Sequence, residues 1–195
     1  MAKKQYKIWL KNLAPGTQYY WGEGTMYAVG NNLLEYFNQI CAKTPQFDAQ
    51  ADFFWDVDAS QVQSHELLVY VLPSSRQSIV AGKTSDPLGP TGSTFPAATG
   101  VISEIYLDVM QGDADFARLV ANAIFHEWMH NKLDAYTAGG PLNDVHLQGG
   151  GGLATGGKIK SSDRPNARNI ALMAQFLART HPQYTADVSK VSPYP

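Results

Sequence analysis

The chain has one cysteine in 195 residues, Cys41, so no internal disulfide can form. A lone cysteine on an apolar helix face reads as a small buried hydrophobe. No apolar run is long enough to span a membrane. Met1–Leu10 carries three lysines but no apolar core, so it does not read as a secretory signal. The chain is therefore expected to act in the cytosol, to have lost an export signal, or to leave by a route that needs none. Basic and acidic residues nearly balance, at a net charge of −2, and the basic ones are scattered. Such a surface lacks the footprint of a nucleic-acid or anionic-membrane binder. Histidine and glutamate are also scarce, five of each, and no Glu follows Glu127.

Hydrophobic residues make up 44% of the chain, enough for one domain, 1–195, with a real core. No internal repeat is visible. The pattern divides it into a sheet-rich part, 1–110, and a helical part, 111–195, an α+β arrangement. Gln5–Leu10, Asp52–Asp58, Glu66–Leu72 and Val101–Val109 are rich in β-favouring residues, and Pro73 closes the third. Met26–Lys43 has helical spacing in Val29, Leu33, Phe37 and Ile40, with Thr25 as a cap. Ser74–Gly100 is a long Ser, Gly, Thr and Pro stretch, read as a loop and a possible lid over a site. Asp113 or Asp115 can cap a helix running to about Tyr136. A Gly-rich segment follows, with Gly149–Gly152 in a row. Ser162 or Asp163, before Pro165, opens a last helix that ends at His181-Pro182.

Within the longest of these helices lies His126-Glu127-Trp128-Met129-His130. Residues four apart share one helix face, so both imidazoles can reach one metal ion from the same side. Glu127, beside the first of them, can accept the proton of a water that the metal makes acidic. From His and Glu frequencies, about 0.003 such matches are expected in this chain by chance, although a short motif remains a hypothesis. The bland alternative is a helix with two exposed histidines and a solvated Glu.

On His126, Glu127 and His130 the chain resembles the zincin metallopeptidases, with partial support over Val101–Leu177. The resemblance implies a compact α+β domain: a small mixed sheet packed on the motif helix, with further helices. It implies Zn2+ as cofactor, peptide or protein substrates, and an edge strand that binds the substrate backbone, for which Val101–Val109 has the right place in the chain. Two subfamilies are excluded by their third ligand. A thermolysin-like enzyme needs a downstream Glu, and the metzincin pattern needs His at position 136, which is Tyr136. Asp134, Asp144, His146, Asp163 and His181 remain. His126, His130 and Asp134 would span about 12 Å along a straight helix, too far for one ion. Asp134 reads instead as a residue that orients an imidazole or a neighbouring loop. His146 is the preferred third ligand and Asp144 the alternative, or its hydrogen-bonded companion. Asp144 and the stretch Asn166-Ala167-Arg168-Asn169-Ile170 resemble aspzincins, but Pro141-Leu142-Asn143-Asp144 stands where their Gly-Thr-x-Asp signature would be.

An oxyanion formed on attack needs a donor besides the metal. Tyr136 is the first candidate, with Tyr106, Arg168 and His181 behind it. The Gly149–Gly152 run lacks the Gly-Lys-Ser/Thr ending of a phosphate loop, so close backbone approach is the better reading. The expected activity is peptide-bond hydrolysis, with Glu127 as general base. The alternatives are a zinc-containing binding or effector module without catalysis and a zinc amidase acting on peptidoglycan. Size and the missing signal also suit a toxin or effector domain with a secretion machine or an inhibitor as partner.

Overall fold

The structure is a computed structural model and describes residues 4–5, 7–14, 22–43, 47–48, 53–55, 61–62, 66–74, 92–94, 102–134 and 145–180. It has the expected α+β character. Five strands form one sheet: β2 (Ile8–Asn12), β4 (Phe53–Trp55), β5 (Leu67–Leu72), β6 (Gly92–Thr94) and β7 (Ile102–Tyr106), in the order β4-β2-β5-β7-β6. The first four in that order run parallel, and β6 pairs antiparallel with β7 at the edge. A separate parallel pair joins β1 (Lys4–Gln5) to β3 (Phe47–Asp48). The expected strand Gln5–Leu10 is thus split between two sheets.

Central β5 is buried at all six positions. Its near-continuous apolar run, Leu-Leu-Val-Tyr-Val-Leu, is the pattern of a parallel strand covered on both faces. One face, carrying Ile8, Leu10, Leu67, Val69, Val71 and Ile105, packs against α1 (Glu23–Cys41) and α2 (Phe116–Met129) in a single core. The other carries Trp9, Leu68, Tyr70, Leu72, Glu104 and Tyr106, also buried, with Tyr106 donating to Glu104. Cys41, at the end of α1, is half-buried against the core.

Four expectations are corrected. Val101–Val109 does not supply the sheet edge, because β7 lies between β5 and β6, and among the described residues the edge belongs to Gly92–Thr94. That short strand falls inside Ser74–Gly100, so the stretch is not wholly a loop. Thr25 does not cap α1: the helix starts two residues earlier, with Gly22 at the cap position and no side-chain cap. The last helix, α4 (Ala167–Thr180), is capped by neither Ser162 nor Asp163. Asn166 takes that place, its Oδ1 accepting the Asn169 N–H at 2.8 Å. Asp115, one of the two expected caps, does cap α2 through the Arg118 N–H. No described helix is long and apolar enough to cross a membrane.

The two long helices are locked by aromatic rings. Trp128 stacks on Phe37 at 4.6 Å and meets Phe125 edge-on at 5.6 Å. Tyr36 reaches Asn122, and Arg118 joins both Tyr36 and Glu35. Burial pushes the Tyr36 phenol above its ordinary pKa, partly opposed by its bond to Arg118. Asn122 also donates to the carbonyls of Lys160 and Asp163, tying the loop before α4 to α2. Trp128 is fully buried and sits between the motif residues. Replacing it, Trp128→Ala, is expected to cost about 3–5 kcal/mol in urea unfolding. A loss under about 1 kcal/mol would show that this packing does not hold α2 in place.

Candidate metal centre

Helix α2 is buried from Leu119 through Met129, which carries His126 and Glu127 into the interior. They are 7% and 4% exposed. A polar group so placed is costly without partners, and the fold provides one for His126. Its Nδ1 lies against the Leu153 carbonyl. A carbonyl only accepts, so Nδ1 carries a proton and Nε2 is the ring atom turned to the other histidines. On the sheet side, the buried Ser103 hydroxyl of β7 lies 3.5 Å from the Glu127 carbonyl. A small residue there allows the turn carrying Glu127 to approach the strand.

After Met129 the helix widens into a π-helical turn, His130–Asp134. Such turns recur at functional sites. His146 comes from a separate short helix, α3 (Val145–Gly149), anchored by the fully buried Val145. The three imidazoles converge through their Nε2 atoms. His130 lies 3.1 Å from His126 and 3.0 Å from His146, and His126 and His146 are 3.3 Å apart. The rings of His126 and His130 stand at 76°, and those of His130 and His146 at 86°.

This triangle can be tested against a metal. Tetrahedral zinc with Zn–N bonds of about 2.0–2.1 Å places its nitrogen ligands about 3.3–3.4 Å apart. The observed separations fall at or slightly below that value. The same spacing also lets one ring's N–H donate to the next ring's lone pair, so the three rings can share protons or an ion. The three histidines can therefore hold a metal ion. Among the described residues these three are the group that could hold an ion.

Other expected site residues fall elsewhere. Asp134 closes the π-helical turn. Asp144, Tyr136 and His181 lie outside the described residues. Asp163 is not a ligand: its carboxylate accepts the Lys160 N–H at 2.7 Å. Tyr106 is corrected as an oxyanion donor. Side chains alternate across a strand, so Ser103 faces α2 while Tyr106 faces away and bonds Glu104. Arg168 is exposed on α4.

The residue missed by sequence reasoning is Leu153, because it acts through its main chain. Its only advance signal was the adjoining glycine run. Gly150, Gly151 and Gly152 have φ values of 38°, 80° and 58°, in the left-handed region that glycine tolerates. A Cβ on Gly152 would meet Asn169 Oδ1 at 2.6 Å and the Asn166 nitrogen at 2.8 Å. Comparison with protein-family models, curated proteins and solved structures returned no match.

Two outcomes are expected. Metal analysis should find one bound ion in the wild type and in Asp144→Ala, and none in His126→Ala, His130→Ala or His146→Ala. Retention by His146→Ala would remove it from the ligand set. Gly152→Ala should lower stability by about 1–3 kcal/mol, from a left-handed backbone and the collision with Asn169. An unchanged melting temperature would contradict that geometry.

Proposed function

We propose that this chain is a zinc-dependent endopeptidase of the zincin type, with Glu127 as its general base. The observation that carries the reading is the convergence of His126, His130 and His146 within 3.0–3.3 Å, with Glu127 on the next residue of the same buried helix. Three neutral imidazoles suit zinc among the common divalent ions, and a site short of a full protein ligand set suits a reaction.

Bound there, zinc would supply Lewis-acid polarisation of a substrate carbonyl and would lower the pKa of a coordinated water toward about 7. The chain's own residues do the rest. His126, with its proton held at Nδ1 by Leu153, keeps its Nε2 lone pair directed at the metal position. His130 and His146 complete the triangle from two other segments. The Glu127 carboxylate takes a proton from the attacking water and returns it to the departing amine, so one group serves as base and then acid. Its seclusion in the helix interior favours proton transfer over exchange with bulk solvent. Antiparallel β6, at the sheet edge and packed against α2, is where an extended peptide could add as a further strand.

A non-catalytic zinc module has no need of a base beside its ligand. The substitution Glu127→Gln separates the two. A peptidase loses turnover by about 100-fold or more while keeping one zinc per chain, measured on a casein or mixed-peptide substrate. Equal activity in both proteins would exclude Glu127 as the base. Zinc retained by a wild type that cleaves peptidoglycan fragments but no peptide would favour the amidase.

A further inference from the structure

We propose that Asn169 is a positioning residue of the metal centre, acting through Leu153 to set the tautomer and orientation of His126. The inference rests on the metal-binding reading above. Asn169 lies in the first turn of α4 and is fully buried. Its side-chain oxygen accepts two main-chain N–H groups, from Leu153 at 2.9 Å and from Asn166 at 3.1 Å. The Leu153 carbonyl in turn accepts the His126 Nδ1–H.

Both peptide units flanking Leu153 are thereby fixed. The unit before it is held by Asn169 through its N–H. The unit after it is held at both ends, its carbonyl by His126 and its N–H, from Ala154, by the Gly151 carbonyl at 3.1 Å. The Leu153 side chain is fully buried and closes off rotation of the turn. Asn166 holds the far side, donating from Nδ2 to the Gly150 carbonyl at 3.0 Å.

Helix capping accounts for only part of what Asn169 does. Asn166 and Asn169 cap α4 reciprocally, each side-chain oxygen accepting the other's main-chain N–H. The second bond of the Asn169 oxygen, from the Leu153 N–H, lies outside the helix and serves the glycine turn. Burial adds a cost unless its polar atoms are used. Here the oxygen is used for the glycine turn, and Gly152 must lack a Cβ to let it approach. The arrangement is an indirect form of the support that metal-bound histidines take from a carbonyl or carboxylate behind the ring.

The test compares Asn169→Ala, Asn169→Asp and Asn166→Ala with the wild-type chain. Zinc affinity is measured by chelator competition, and the Co2+-loaded proteins are compared by visible absorption. Imidazole 15N shifts of the metal-free proteins report which His126 nitrogen is protonated. Asn169→Ala should weaken zinc by about 10–100-fold, change the Co2+ bands and mix the His126 tautomers. Asn169→Asp keeps the accepting oxygen and should stay within about threefold of the wild type. Asn166→Ala should lower the melting temperature while weakening zinc less than Asn169→Ala does. Should Asn169→Ala fail to fold, Asn169→Ser, whose hydroxyl is one bond shorter, takes its place.

Wild-type affinity and a single His126 tautomer in Asn169→Ala would overturn this role and leave the metal centre standing. Equal weakening by Asn166→Ala would also overturn it, as an effect of capping alone. A wild-type chain that takes up neither zinc nor cobalt would overturn both.

Discussion

Three imidazole nitrogens held within 3.0–3.3 Å of one another are the constraint on which the structure turns. With its Nδ1 proton on the Leu153 carbonyl, His126 can only accept at Nε2, from a neighbouring imidazole N–H or by binding a cation. A cation bound among the three nitrogens would draw the rings into one ligand set. Its binding free energy would add to folding free energy, since the three ligands meet only in the folded chain. The metal and the fold are then parts of one equilibrium.

Each segment around the site is held by a different kind of contact. Helix α2 is set by apolar packing, through Trp128, Phe37 and Phe125. The turn carrying Glu127 lies close to β7 because Ser103 is small. The glycine turn is held by polar contacts from α4, where a packed side chain could not enter. Packing density makes such a cluster stiff, so the three imidazoles are held where the fold puts them.

What could be read from the amino-acid order followed from periodicity and from one motif. The apolar spacing of Val29, Leu33, Phe37 and Ile40 places α1 within three residues at each end. The run Leu67–Leu72 is visibly a buried strand. His126, Glu127 and His130 stand out because helical spacing alone puts the two imidazoles on one face. Strand β6 was hidden, since Gly-Ser-Thr carries no β signal and an edge strand can be three residues long. Its position makes β7 internal and moves the sheet edge. The nearness of His146 to the other two depends on how the chain returns after position 134, which local spacing does not encode. Leu153 acts through a carbonyl that every residue possesses, so only the neighbouring glycines pointed to it.

The proposed centre is a base beside a cation whose ligands come from α2, the π-helical turn after it and the short helix α3. Zinc K-edge X-ray absorption of the purified chain tests it most directly, because the spectrum reports the ion and its neighbours together. A zinc centre on these residues predicts nitrogen and oxygen neighbours at about 2.0–2.1 Å with the outer scattering of three imidazole rings. A spectrum with one imidazole or none, sulfur at about 2.3 Å, or no zinc in the protein at all would contradict it.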